Sequence, residues 1–261
     1  MKARADIGVF GGSGFYEFLS DVEEVWVDTP YGPPSDRVAI AEIGGRRVAF
    51  LPRHGKDHRL PPHKINYRAN LWAMKELGVK RILGPCAAGS LQPHVKTGDF
   101  VICDQFVNRT WGRDDTFFEG PTVAHISAAD PYCDEVRQTL IEQSEKLGLS
   151  YHDKGTVVVV QGPRFSTRSE SQEFRSHGWE VINMTQYPEA FLARELGICY
   201  ANISLITDYD AGLEDDPSVE PVSHQEVLKV FQANIERLRS LLIATIEALP
   251  ETPSCRCADA V

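Results

Sequence analysis

Two carboxylates, Asp208 and Asp210, stand one residue apart where the apolar run Cys199 to Ile206 ends in Thr207-Asp208-Tyr209-Asp210. Alternate positions of an extended chain point the same way, so the pair can converge on one ligand that offers N–H donors. As a turn or helix cap, the same two residues would carry no chemistry. Cationic groups gather upstream: Pro52-Arg53-His54-Gly55 closes another apolar run, and a guanidinium has the planar fork that pairs bidentately with phosphate. Gly11-Gly12-Ser13-Gly14 follows the short run Ile7 to Phe10, and exposed N–H groups in glycine turns hold oxyanions. That turn has neither GxGxxG spacing nor the lysine of a Walker loop, so it reads equally as a phosphate cradle or an ordinary tight turn. A third group comes from Val157 to Glu189, where Arg164, Phe165 and Thr185 offer a cation, an aromatic face and a hydroxyl. Taken alone, Phe165 is read more readily as core and Arg164 as a surface ion pair.

These side chains need a scaffold that brings strand ends together. Four consecutive valines, Val157 to Val160, suit a strand buried on both faces, broken at Gly162-Pro163. Ser166 to Arg175 reads as a polar helix with Ser/Thr start signals. Glu180 to Asn183 is a short strand, and a helix begins near Tyr187-Pro188 and stops at Gly197. Val38 to Ile43 and Arg47 to Leu51 flank Gly44-Gly45 as a hairpin. Asn66 to Leu77 and Tyr132 to Leu147 are helices that glycines end, and Arg81 starts a strand running into the small residues up to Leu91. Phe100 to Val107 reads as one strand, Thr110 to Val123 as loop, and Leu213 to Pro221 as an acidic lid-like loop. His224 to Ala248 is a long helix with Val227, Leu228, Phe231, Ile235, Leu238, Leu241 and Leu242 on its buried face. The alternation predicts a single α/β domain, residues 1–250, with helices flanking a mixed central sheet and a flexible tail over 251–261. Open α/β sheets hold ligands at their strand ends.

Composition narrows the partners. The 261 residues are 42% apolar and carry a net charge of −10, which argues against a nucleic-acid footprint because neutralising phosphates takes clustered Lys and Arg. No apolar run approaches the ~20 residues of a membrane span, and Met1 to Asp6 lacks the apolar region of a signal peptide. The expectation is a cytoplasmic protein without membrane partners. Cys86, Cys103, Cys133 and Cys199 read as buried thiols, and no cysteine set has zinc-site spacing, so no metal is expected. Cys255-Arg256-Cys257 could form a strained disulfide or bind a soft metal; a frayed tail with two free thiols is the plainer reading in a reducing compartment.

The ordered set GGSGF, DTPYGPPSD, LPRHG, NYRANLWAMKELG, DQFVNRT, HISAADPYC, QGPRFSTRSES, INMTQYPEA and TDYD resembles the trimeric nucleoside phosphorylases, in particular their 5′-methylthioadenosine phosphorylase branch, from Ile7 to Ala248. The resemblance implies phosphorolysis of a purine nucleoside to free purine and a (5-deoxy-5-methylthio)ribose 1-phosphate, with phosphate as co-substrate and no further cofactor. It places phosphate on Ser13, Arg53, His54, the Ala87 backbone and Thr185. It sets Phe165, Ile182 and Asn183 along the purine, Met184 on the ribose and Thr207 in the base site. Asp208 and Asp210 engage N7 and the exocyclic amine, and His125 reaches a neighbouring subunit's 5′ pocket. A homotrimer follows, with pairing of trimers left open.

An ionised or proton-sharing Asp accepts from a 6-amino group and meets a 6-carbonyl poorly, at a cost of about 1–3 kcal/mol. Relatives acting on 6-oxopurines typically carry Asn at the position of Asp208, so adenine is the expected base; a broader enzyme for 6-oxopurine nucleosides is the alternative. Methylthio-specific relatives tend to be apolar where His224 falls, and the chain lacks the further C-terminal helix some relatives fold over the sugar. Both features widen the expected substrates to adenosine, although His224 reads equally as a cap of the last helix. Cys86 replaces a Thr frequent near the phosphate. The CxC tail is similar to that of thermostable relatives with a C-terminal disulfide, and a free-thiol tail fits the residues as well.

Overall fold

The computed structural model describes residues 4–11, 22–212, 219 and 221–260. Eleven strands among them form one mixed sheet. In chain order the elements are β1 (Ile7–Gly11), β2 (Glu23–Val25), β3 (Val38–Ile43), β4 (Arg46–Pro52), α1 (Tyr67–Leu77), β5 (Arg81–Ser90), β6 (Phe100–Val101), β7 (Gln105–Arg109), α2 (Asp134–Lys146), β8 (Tyr151–His152), β9 (Thr156–Val160), α3 (Arg168–Ser176), β10 (Val181–Asn183), α4 (Gln186–Glu195), β11 (Cys199–Asp208) and α5 (His224–Ala248). The sheet runs β2-β3-β4-β1-β5-β10-β9-β7, and β11 lies along β5, carrying β6 and then β8.

The period-two alternation of strands sorts the core into two layers. Phe10, Ala49, Leu51, Tyr200 and Ile206 face one side, where Leu71 and Met74 of α1 and Leu192 of α4 pack. Ile7, Val9, Val48, Phe50, Ala201, Ile203 and Leu205 face the other, against Val136 and Leu140 of α2 and Leu238, Leu241 and Leu242 of α5. Burying each such side chain stabilises the fold by about 1.5–3 kcal/mol. The valine run is buried on both faces, Val157 and Val159 in the first layer and Val158 beside Phe174 and Ile182. Gly44 and Gly45 turn the β3–β4 hairpin with φ of 56° and 75°, the left-handed pair that such a two-residue turn requires.

Local signals set most helix ends. Asn66 caps α1, and Gly78 ends it at φ 90°. Thr167 and Glu170 form a capping box that starts α3, with each side chain satisfying one orphan N–H. α4 is interrupted at Tyr187 (φ −110°, ψ 132°), so its regular part begins at Pro188.

The structure differs from the sequence expectation in several places. Phe100 to Val107 is two strands: the chain pairs with β11 and β8, then crosses at Ile102–Asp104 to pair β7 with β9. The short strands β2 and β8 had no readable pattern, since two or three residues cannot show a period. The stretch expected as a loose tail lies against the sheet layer holding α2 and α5, with Cys255 and Cys257 packed on it. Ser254 donates from both its N–H and its hydroxyl to Glu135 of α2. No helix among the described residues is long and apolar enough to cross a membrane.

Candidate active site

Strand ends and the start of α5 enclose a cavity of about 460 Å³, within the usual range for small-molecule sites. Arg53 and His54 reach it from the end of β4, Ala87 from β5, and Thr207, Asp208 and Asp210 from the end of β11. Ile182 and Asn183 come from β10, Met184 and Thr185 from the turn into α4, Phe165 from the loop after β9, and His224 from the first turn of α5. The structure therefore assembles these residues around one space. Ser13 and nearly all of the Leu213-to-Pro221 loop lie outside the described residues. His125 is exposed and does not line its own chain's cavity.

Arg53 anchors one end. It is 2% exposed, and its Nε and Nη2 donate to the Glu189 carboxylate at 2.7 and 2.6 Å while Nη1 donates to the Pro85 carbonyl at 3.1 Å. Burial works against its charge, but Glu189 more than offsets this and holds the guanidinium protonated. Glu189 is itself fully buried and accepts from the Tyr200 hydroxyl at 2.6 Å. Tyr200 in turn depends on Gly84, where an added Cβ would fall 1.8 Å from the phenol oxygen. Sequence reading assigned no role to Glu189, Tyr200 or Gly84; a carboxylate inside an otherwise apolar helix face was the available signal. Gly84→Ala should cost about 3 kcal/mol or more as overpacking against a buried strand. A lowered melting temperature would register it.

His54 is a neutral imidazole: burial holds it down to about 4, with Arg53 and His58 adding to the effect and the Leu60 carbonyl opposing. Its Nδ1 lies 2.8 Å from that carbonyl, which can only accept, so Nδ1 carries the proton and Nε2 is an acceptor. His58 stacks on His54 at 4.4 Å between ring centroids, and His224 follows His58 at 6.3 Å. This polar row forms one wall. Ser223, not His224, caps α5 by accepting from the Glu226 N–H, which leaves His224 to the cavity. Cys86 also lines the cavity, and its thiol lies within hydrogen-bonding distance of Ser204, Asn183 and Asn202.

The carboxylates line the same cavity from the end of β11, without continuing an extended strand. β11 stops at Asp208, the next residues turn, and Asp210 takes φ 50°. The Asp210 N–H donates to Asp208 Oδ1 at 2.8 Å, and the Thr207 hydroxyl donates to Asp208 Oδ2 at 2.7 Å. Both the turn role and the convergence on the cavity thus hold at once. Burial pushes the Asp208 carboxyl up, the Thr207 and Asp210 hydrogen bonds pull it down, and the Asp210 charge adds to the rise. Asp210 is also raised by burial, against the Ser171 and Ser166 hydroxyls, and its buried Oδ2 has no hydrogen-bond partner. Gly89 provides the room: a Cβ there would meet Asp208 Oδ1 at 2.8 Å.

One expectation is corrected. Val227 and Leu228 line the cavity instead of the core, with Leu228 44% exposed, while Phe231 lines the cavity and also packs on the core; an apolar helix stripe covers a ligand space as readily as a core. Arg164 is an exposed ion-pair partner of Glu170 at 2.7 Å and does not line the cavity, in keeping with its reading as a surface ion pair.

A buried guanidinium and a pair of acids lining one cavity at the strand ends of an α/β sheet are the groups that a glycosyl-transfer type of site uses. The chain matches the model of the Phosphorylase superfamily over residues 6–247 and belongs to that superfamily. It is 53% identical to the purine nucleoside phosphorylase of Streptomyces coelicolor, over 98% of this chain and 93% of that protein. It is 50% identical to the S-methyl-5'-thioadenosine phosphorylase of Thermofilum pendens, over 99% and 97%. The methylthioadenosine phosphorylase of Schistosoma mansoni, solved in complex with adenine, superposes with a TM-score of 0.90 at 34% identity, covering 98% of this chain and 96% of that one.

Proposed function

We propose that this protein is a purine nucleoside phosphorylase that cleaves S-methyl-5′-thioadenosine with inorganic phosphate, giving adenine and 5-methylthioribose 1-phosphate, and that accepts adenosine as a second substrate. The observation that carries the reading is that the Asp208–Asp210 pair, Asp210 buried and Asp208 partly buried, lines the same nucleoside-sized cavity as the buried Arg53. Phosphate sits against Arg53, the Ala87 backbone and Thr185, with Ser13 completing the set. A dianion keeps one hydroxyl, and the His54 Nε2 lone pair suits it as acceptor. A phosphate oxygen forms a bond to C1′ as the C1′–N9 bond breaks, and the electron pair leaves with the purine. Asp208 donates its proton to N7 and neutralises the departing base, while the unpaired Asp210 Oδ2 accepts from the 6-amino group. Phe165, Ile182 and Asn183 pack along the purine and Met184 on the ribose. The His58–His224 edge gives a 5′-hydroxyl a partner, and the apolar Val227 and Phe231 give a methylthio group one; this mixed wall supports both substrates.

A homotrimer, in which His125 of a second copy completes the 5′ end, accounts for a histidine exposed on its own chain. Trp111 and Val123, 68% and 65% exposed on the same 110–131 segment, offer the apolar surface such a contact needs. The cytoplasm and purine and methionine salvage are the proposed setting.

The assay compares methylthioadenosine, adenosine and inosine with and without phosphate: adenine release that requires phosphate is expected, and inosine outpacing both adenine nucleosides would reject the base assignment. The acid role also fixes a pH dependence. kcat/KM should fall as pH rises through the raised pKa of Asp208, because the proton donor is lost. Thr207→Val removes a hydrogen bond to the ionised form, so that alkaline limb should move to higher pH. A limb that stays in place would show that another group sets it. The same shift bears on stability: Asp208 and Asp210 bind protons more tightly folded than unfolded, so their contribution is greatest below 3.8 and is lost as pH climbs through the raised values.

A further inference from the structure

Cys133, Cys199, Cys255 and Cys257 come from three separate parts of the chain, yet their sulfurs all lie within 4.8 Å of one another. Cys133 and Cys199 are buried, and Cys255 and Cys257 are half-buried. A tetrahedron of thiolates around an ion at the Zn–S distance of ~2.3 Å has sulfur–sulfur edges of about 3.8 Å, and Cys199 to Cys255 measures 3.2 Å. Cys133 occupies the N-cap position of the 13-residue helix α2, whose positive end favours an anionic sulfur. The segment bearing the CxC pair is held in place independently. Ser254 bonds to Glu135, Glu135 also pairs with the buried Arg81 at 3.1 Å, and Ala258 sits against Gly197, where a Cβ would meet its Cα at 3.3 Å.

We propose that these four cysteines form a tetrathiolate site for a zinc-class divalent ion, which staples the C-terminal segment onto the start of β11 and of α2. On binding, each thiol gives its proton to solvent, four sulfur–metal bonds form, and no electron is transferred. Two disulfides from the same thiols would need an oxidant; the metal site needs none. Cys199 and Asp208 are the two ends of β11, so at the rise of a strand the site lies about 30 Å from the acid. The ion therefore acts on stability and leaves catalysis alone.

The test is metal analysis of the protein purified in reducing buffer and re-equilibrated with Zn²⁺. About one ion per chain is expected, lost in Cys255→Ser and Cys257→Ser variants that keep their activity at moderate temperature and melt several degrees lower. Because a serine variant can weaken folding, the wild-type protein loaded with Co²⁺ supplies a second readout: thiolate-to-cobalt charge transfer with the intense visible bands of tetrahedral cobalt. Protein free of metal after loading, cobalt spectra of an octahedral oxygen site, metal retained in both serine variants, or a mass showing disulfides among these cysteines each overturns the proposal.

Discussion

Asp208→Asn is expected to lower kcat/KM for phosphorolysis of methylthioadenosine by about 10²–10⁴-fold, the usual contribution of a positioned general acid. The substitution is isosteric, and the fold should tolerate it. The amide oxygen can still accept from the Asp210 N–H, and the amide NH₂ can donate to the Thr207 hydroxyl, replacing the bonds of 2.8 and 2.7 Å that hold the carboxylate. The base has then lost its proton donor, so the purine must depart as an anion. Discrimination should also change. The N7 and 6 positions of a purine share one edge, so the new amide N–H beside N7 also reaches a 6-carbonyl that otherwise meets only the Asp210 acceptor, and the inosine-to-adenosine ratio should rise by roughly 5- to 150-fold, equivalent to one mismatched buried group of ~1–3 kcal/mol. Steady-state kinetics on the three nucleosides, with circular dichroism to confirm folding, measures both effects. Wild-type turnover in the variant would remove Asp208 from the chemistry.

Glu189→Ala should produce the largest loss of stability, about 3–5 kcal/mol, because it strands the buried Arg53 charge without a partner. A domain of this size would melt lower by on the order of 10 °C. The ion pair itself need not be stabilising, since removing both charges of a buried pair is often neutral. The double variant Arg53→Met/Glu189→Leu should therefore recover much of the melting temperature and still fail to use phosphate. Recovery of stability with activity lost identifies the pair as functional; recovery of both would refute the anion-clamp role of Arg53. Tyr200→Phe, which deletes one hydrogen bond to Glu189, should cost only about 1 kcal/mol and act mainly on the phosphate KM.

Residue types alone disclosed a good deal. Valines in a row, a glycine pair between apolar runs, and the Asn and Thr before α1 and α3 are local signals, and they correctly anticipated β9, the β3–β4 hairpin, α1 and α3, because the forces that set them act within a few residues. Arg53, His54, Thr185, Asp208 and Asp210 were identifiable since each closes an apolar run, and the closing ends of strands are where α/β sheets keep their ligands. The valine-to-alternation patterns likewise implied a mixed sheet between helices.

Long-range packing decided the rest. Arg53 and Glu189 are 136 residues apart in sequence, and nothing nearby in the chain says that a buried carboxylate on α4 aims the guanidinium of β4. The apolar stripe of α5 was legible, but which half meets core and which half walls the cavity depends on where the sheet ends beneath it. The four cysteines show the limit most clearly. Zinc-site spacing is a property of ligands brought by one short loop, whereas Cys133, Cys199 and the CxC pair meet only because β11, α2 and the C-terminal segment converge at one edge of the sheet. Sequence thus determined which groups the protein owns and which elements carry them; the tertiary structure determined which groups meet, because burial and contact between distant elements exist only once the sheet has closed over its core.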